Sequence, residues 1–393
     1  MSTDSNNKES RLYARLGAST SKKGVLDAAG HGAFRTFFAD VTEDVCGSDQ
    51  YYSLLHADGA GTKAIAAYLA FKETDDPVYF RSLAQDSLVM NLDDVACVGA
   101  FESLLLSNTI GRNRRLIPDN VIKEIIAGYR DLASVLARYG IQIAIGGGET
   151  ADLGDLVRTI VVDSTLFARV KRGKAIRTDA IKEGDVIVGL SSTGQAVYED
   201  KENSGLGSNG YTLARHALIK SSYRDKYPEI QDPGLDTELS YRGSLDLFDQ
   251  LPGTDFTVIE ALLSPTRTYA PVIKKISERL NDKLHAAIHC SGGGQTKIAG
   301  FGNRKRYIKD DLFEVPAVCK AIQNSLNVPW QEMYTVFNMG HRMEIVCPQS
   351  AAKEVISISE SFEIAARIVG YVEKSSTDRN QLVIKSPQGV FEY

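Results

Sequence analysis

An α/β chain in two lobes is predicted by three features of the sequence. Twice, at 51–71 and at 284–297, a run of strand-forming residues stops at glycines, a threonine and a lysine and gives way to a helical pattern. Between these stretches, β-branched runs alternate with segments whose apolar residues recur at the helical period. The length, 393 residues, suggests two domains, or three, at roughly 100–200 residues each. Apolar residues at 43% and charged residues at 24% are ordinary globular values, which disfavours disordered, collagen-like and membrane classes. Forty-five basic against fifty acidic residues, with no long basic run, makes nucleic acid an unexpected partner. The polar start and the absence of a bilayer-length apolar stretch predict a cytosolic protein with no membrane partner. Five scattered cysteines without a Cys-x-x-Cys pair read as reduced, mostly buried thiols.

The chain is organised around His56-Ala57-Asp58-Gly59-Ala60-Gly61-Thr62-Lys63. Residues 51–55 form a strand before it and 62–71 a helix after it. Gly59 and Gly61 lack a Cβ, so the backbone can take positive φ and let a bulky anion reach its N–H groups, beside the partial positive charge of a helix start. Lys63 can reach the same anion, and Asp58 is placed to hold a metal. A polyphosphate with magnesium satisfies all of these features, and an ordinary tight turn is the plain alternative. A helix follows at about 78–98, with Asp86, Asp93 and Asp94 among its apolar residues. Seven positions apart, Asp86 and Asp93 nearly eclipse one another, and Asp94 lies about 80° round from Asp86, so all three are expected to border one groove. Residues 101–110 read as a strand. Pro118 opens a helix that runs to Gly140, and 141–145 is a buried strand ending in Gly146-Gly147-Gly148-Glu149, where Glu149 can contact a ligand or a cation. A further strand or hairpin is expected in 156–170.

Composition turns basic at Lys171-Arg172-Gly173-Lys174, which places a domain boundary near 172–184 and divides the chain into 1–175 and 176–393. A strand at 185–190 precedes a polar stretch, 193–207, expected to be an exposed loop. Ser208-Asn209-Gly210-Tyr211 opens a helix, 221–255 is irregular, and Ser264-Pro265-Thr266-Arg267 introduces a helix through 280. The strand 284–290 ends in His289-Cys290-Ser291-Gly292-Gly293-Gly294, which echoes the first glycine turn and raises the expectation of two lobes with a shared topology. For His289, a purely structural hydrogen bond at a strand end is the alternative to a ligand contact. A strand at 343–347, a helix over 350–366 and strands at 368–373 and 381–384 complete the second lobe. No P-loop, dinucleotide-binding glycine fingerprint, nucleophile elbow or His-x-x-x-His pair occurs.

Seven segments stand in the order seen in one family. They are Asp58-Gly-Ala-Gly-Thr-Lys63; Asp86-Ser-Leu-Val-Met90 with Asp94 and Gly99-Ala100; Gly147-Gly-Glu-Thr-Ala151; Ser208-Asn-Gly-Tyr211; Ser264-Pro-Thr-Arg267; His289-Cys-Ser-Gly-Gly-Gly294; and Glu332-Met-Tyr-Thr-Val-Phe-Asn338. From about residue 51 to 374 the sequence resembles the phosphoribosylformylglycinamidine cyclo-ligase (aminoimidazole ribonucleotide synthetase) family. The resemblance implies two α/β domains (an α+β arrangement) and a homodimer whose N-terminal sheets join into a barrel. It also implies ATP-dependent closure of formylglycinamidine ribonucleotide to aminoimidazole ribonucleotide in purine synthesis, through phosphorylation of the amide oxygen. By the same resemblance Asp58 and Asp94, with Asp86, hold Mg²⁺, and Lys63 neutralises phosphate. Gly59, Gly61, Thr62 and Gly292 to Gly294 line the nucleotide, Glu149 and Asn209 orient nucleotide or substrate, and His289 contacts phosphate or carries a proton, so that Lys63, His289 and Asp94 form the catalytic set.

Two departures stand against the pattern. Gly30-His-Gly-Ala-Phe34 with Phe37-Phe38 replaces the family's Gly-Gly-Phe-Gly segment, and where the family has Gly-Pro-His before Ser-Asn-Gly-Tyr this chain has an insertion that ends at Gly207. A sibling ATP-dependent enzyme of the selenophosphate synthetase or thiamine-monophosphate kinase type, or a non-catalytic nucleotide-binding relative, is the competing reading.

Overall fold

The structure, a computed structural model, describes residues 11–18 and 36–393. The expected departure at Gly30 to Phe34 lies outside the described residues. Phe38 stacks on Phe301 with ring centroids 5.1 Å apart, and Phe37 meets the edge of Tyr52.

The first half builds a five-stranded sheet from β1 (Thr42–Glu43), β2 (Tyr51–Gly59), β3 (Glu102–Arg112), β4 (Ile143–Asp152) and β5 (Ile160–Lys171), in the order β1-β2-β5-β3-β4. Only β3 and β4 run parallel, as their connection through a helix requires. Its helices are α1 (Leu12–Arg15), α2 (Ala64–Thr74), α3 (Ser82–Ala96) and α4 (Asp119–Ala137). Long and strongly periodic, α4 buries Val121, Ile125, Tyr129, Leu132 and Leu136 on one stripe. By contrast α3 is buried almost all round, its aspartates Asp86 and Asp93 included. It lies with β2 and β5 on one side and the second half of the chain on the other. The opposite face of the sheet is open: Leu55 is 72% exposed, and Leu55 and Leu105 flank Phe167 in register.

The second half builds a seven-stranded sheet. Its strands are β6 (Asp185–Ser191), β9 (Ala286–His289), β10 (Lys305–Lys309), β11 (His341–Pro348), β12 (Ala366–Lys374), β13 (Gln381–Ser386) and β14 (Gly389–Glu392), ordered β14-β13-β10-β12-β6-β11-β9. A small ribbon, β7 (Thr193–Gly194) with β8 (Asn203–Ser204), stands apart. The helices are α5 (Tyr211–Leu218), α6 (Ser222–Lys226), α7 (Val258–Leu263), α8 (Ala270–Leu280), α9 (Ala317–Leu326), α10 (Trp330–Val336) and α11 (Gln349–Glu360). Wholly buried β6 sits between β11 and β12, so its apolar run reads as a central strand.

Three expectations change. The strand after Gly140 does not stop at its glycines but continues through them to Asp152 as an exposed edge. The stretch 193–207 is not a free loop: Asn203 to Gly207 are buried, and Glu199 binds the Arg267 guanidinium through both oxygens, at 2.9 and 2.5 Å. The two sheets differ in strand order, so a common topology is not seen. Both glycine turns nonetheless lead from a strand into a 3-10 turn, Gly61–Lys63 in one half and Gly294–Gly300 in the other. Cys46 is exposed and the other four cysteines are buried, all of them free thiols. Among the described residues no helix is long and apolar enough to cross a membrane.

Candidate active site between the two halves

Helix α3 meets the second half along the segment Ser264 to Tyr269, and two of its aspartates make the joint. Asp86 Oδ1 accepts from Lys63 Nζ (2.8 Å), from the Thr266 amide (2.8 Å) and hydroxyl (2.6 Å), and from Ser208 Oγ (3.3 Å). Almost two turns along, Asp93 accepts from the Thr268 hydroxyl (2.6 Å) and the Tyr269 amide (3.0 Å). The predicted eclipse of Asp86 and Asp93 is real, but it faces protein rather than a groove. Lys63 is equally enclosed. Its Nζ also donates to the Ser264 carbonyl at 2.5 Å and has no exposed surface, and burial pulls its pKa below the usual lysine value. Lys63 and Asp86 are thus a buried cross-link, not an open phosphate arm and a free metal ligand.

Asp94, about 100° further round the helix, turns to two histidines. Its Oδ1 meets His289 Nδ1 at 2.6 Å and its Oδ2 meets His56 Nε2 at 3.2 Å. His56, on β2, is held from its other nitrogen by Asn91 Oδ1 at 2.9 Å. Burial lowers the His56 pKa, but the hydrogen bond and charge of Asp94 outweigh it and raise the pKa to about 9. Burial likewise pushes Asp94 upward, and the two histidines overcome it and hold the carboxyl well below the usual range. With Nδ1 committed to Asp94, the buried Nε2 of His289 has no partner among the described residues. Nε2 is therefore the nitrogen of this imidazole left open to a ligand.

At the end of β2, Asp58 Oδ1 accepts, among the described residues, only from the Gly59 amide at 2.7 Å. Across the sheet, Gly59, Asp163, Thr109 and Glu149 stand in one row, on β2, β5, β3 and β4. A Cβ on Gly59 would fall 1.7 Å from Asp163 Oδ1 and 2.8 Å from the Val162 carbonyl, so a side chain there would have to displace that carboxylate and press on the backbone of β5. Burial and the neighbouring charge of Asp58 raise the Asp163 pKa, and among the described residues neither acid has an ion-pair partner. Two carboxylates at one strand end without a cation fit a hard divalent ion. Asp58 is therefore the predicted metal ligand left free to serve, whereas Asp86 and Asp94 are engaged as above. Glu149 is exposed in the same row, two strands from Asp163. Gly61 takes φ +57° in open space, and the Thr62 hydroxyl reaches Thr212 of α5 at 3.1 Å.

The second glycine turn faces α5. The Asn209 side-chain oxygen is buried without a partner, and its amide nitrogen lies near the open side of Gly292. Gly293 and Gly294 have φ of +99° and +51°, and a Cβ on Gly294 would sit 2.4 Å from the Phe337 carbonyl. Among the described residues Asp86 Oδ2, Asn209 Oδ1, His289 Nε2 and Arg342 Nη1 are buried polar atoms without partners. Sequence reasoning missed Asp163, the engagement of His56 and Arg342. Only Asp163 left a signal, as a polar position in an otherwise β-branched run.

Residues 42–170 match the N-terminal domain and 182–382 the C-terminal domain of the AIR synthase related proteins. The chain belongs to that family. The phosphoribosylformylglycinamidine cyclo-ligase of Methanocaldococcus jannaschii is 31% identical over 341 residues, covering 86% of this chain and 83% of that one. The enzyme of the same name from Methanococcus vannielii is 30% identical over 351 residues, covering 88% and 82%. A solved thiamine-monophosphate kinase from Stenotrophomonas maltophilia shares the AIR synthase fold, with a TM-score of 0.50 at 16% identity, covering 87% of this chain and 91% of that one.

Proposed function

We propose that the protein is an ATP-dependent phosphoribosylformylglycinamidine cyclo-ligase, carrying formylglycinamidine ribonucleotide to aminoimidazole ribonucleotide in purine biosynthesis. The observation that carries this reading is the likeness to cyclo-ligases over most of both chains, whose motifs meet here at one interdomain joint. An amide oxygen is a poor leaving group. Once it attacks the γ-phosphoryl group and ADP departs, it can leave as phosphate when the amidine nitrogen closes on the same carbon, with loss of one proton. His289 Nε2, backed by Asp94, is the acceptor we assign to that proton. Asp58 and Asp163 would hold Mg²⁺, which supplies charge neutralisation on the phosphates. Gly59, Gly61, Thr62 and Gly292 to Gly294 allow close backbone approach, with Glu149 and Asn209 orienting nucleotide or substrate. Lobes of 1–175 and 176–393 and a cytosolic site of action accompany this reading.

The test is ADP release. It should be stoichiometric with product and require formylglycinamidine ribonucleotide; equal turnover with thiamine monophosphate or selenide would move the chain to a sibling activity. Rescue of a purine auxotroph that lacks the synthetase by the wild type but not by Asp58→Asn supports catalysis. We further infer a homodimer through the open sheet face, whose row of Leu55, Phe167 and Leu105 is otherwise an uncovered apolar strip. Leu105→Asp should then halve the mass seen by sedimentation.

A further inference from the structure

Arg342 follows β11's first residue and lies inside the joint between the halves, 2% exposed. A buried guanidinium ordinarily finds a carboxylate fork. This one does not. Its Nη2 donates to Met90 Sδ at 3.1 Å, and among the described residues its Nη1 has no hydrogen-bond partner. The acids around it are otherwise occupied, Asp86 with Lys63 and Thr266, Asp93 with Thr268 and Tyr269, and Asp94 with His56 and His289. Burial pulls its pKa below the usual arginine value, and the charges of Asp93, Asp86 and Asp94 only partly offset this. The backbone of Arg342 is tied to the second glycine turn, its carbonyl accepting from the Cys290 amide at 2.8 Å. On its other side stands Gly207, φ +73°, where a Cβ would lie 3.1 Å from Nη1. The guanidinium therefore fills the room that a side chain before Ser208-Asn209 would need, at the point where this chain lacks the family's Gly-Pro-His.

We propose that Arg342 is a catalytic residue of this enzyme, its free Nη1 taking an oxygen of the phosphoryl group as it passes from ATP to the amide oxygen and leaves as phosphate. The inference rests on the function proposed above. It gives a use to the donor at Arg342 Nη1 and the acceptor at His289 Nε2, both buried without a partner among the described residues. A donor used only as charge develops changes turnover rather than nucleotide binding.

Arg342→Gln and Arg342→Lys, with folding checked by calorimetry, test this in the steady state with ATP and formylglycinamidine ribonucleotide. Arg342→Gln should lose on the order of 100-fold or more in kcat, with KM for ATP changed less than about threefold. Arg342→Lys should retain more, and added guanidinium ion at non-denaturing concentration should restore part of the Arg342→Ala activity. A kcat within about threefold of wild type in folded Arg342→Gln would reduce the residue to a structural counter-charge and overturn the proposal. Should the variants fail to fold, a crystal of the wild type with AMPPCP and formylglycinamidine ribonucleotide decides. Nη1 within about 3.2 Å of a γ-phosphonate oxygen is expected, and Nη1 beyond hydrogen-bond reach of any ligand atom refutes the assignment. Wild type that releases no ADP would sink the cyclo-ligase reading instead, and the AMPPCP crystal would still answer for Arg342.

Discussion

One helix carries three aspartates and puts them to two uses. Asp86 and Asp93, seven residues apart on α3, fasten the two halves together through Lys63 and the segment Ser264 to Tyr269. Asp94, one residue on, points about 100° away and grips two histidines, one from each sheet. The joint acids have no exposure and are satisfied largely by protein donors; Asp94 holds a histidine whose far nitrogen is still free. Residue type and helix are thus shared while the facing direction is not, and what separates a fastening from a working group is whether the partner's bonding capacity is used up. Removing the first kind should cost stability, and removing the second should cost turnover.

The largest effect is expected at the fastening. Asp86→Ala leaves the Lys63 ammonium buried without its partner, and should destabilise the chain by about 3–5 kcal/mol in chemical denaturation. Adding Lys63→Met to it should recover much of that loss, because a well-packed apolar pair is no worse than an ion pair in such a place. A double variant as unstable as the sum of the singles would show that the two residues do not act as a pair. At the working group the order reverses. Asp94→Asn should lower kcat by on the order of 100-fold or more while unfolding shifts less than in Asp86→Ala, since the imidazole loses the charge that orients it. Equal loss of stability in both variants would erase the distinction between the two uses.

Protonation sharpens the contrast. The folded pKa of His56 is raised from 6.5 to about 9 by its contact with Asp94. A raised histidine contributes stability that is complete below the unfolded value and disappears as pH climbs through the folded one. The melting temperature of the wild type relative to His56→Gln should therefore fall between pH 6.5 and about 9 and level off beyond. A constant difference across that window would mean the His56–Asp94 pair is not ionised as described.

Much of this arrangement could be read from the chain alone, for a physical reason. Strand and helix periods, and glycines at positions such as Gly61, Gly293 and Gly294, are local properties, so both turns and most elements stand where the sequence puts them. Pairing across the interface is not local. Helical geometry places Asp86 and Asp93 on one face, but whether that face meets solvent or Thr266 and Tyr269 depends on residues some 180 positions away. The same holds for Asp163, set against Gly59 only by strand register, and for Arg342, which no spacing links to Gly207. The edge strand β4 defeated the reading differently: its three glycines look like a stop, yet an exposed edge paired on one side to β3 accommodates them.

The smallest predicted change tests whether the fastening is graded. Thr268 donates its hydroxyl to Asp93 at 2.6 Å and accepts from the Ala270 amide at 3.2 Å, so it links the acid to the start of α8. Thr268→Val keeps the shape, removes both bonds and leaves Asp93 with the Tyr269 amide alone. Burial already raises the Asp93 pKa, so the carboxyl can meet the loss by taking up a proton rather than by opening the joint. The cost should be about 1–3 kcal/mol near neutral pH, smaller than for Asp86→Ala, and should shrink as pH falls and protonated Asp93 becomes available. A cost that stays the same into acid would mean that Asp93 remains charged without Thr268, and that the other groups facing it, Arg342 and His289, are enough to hold it so.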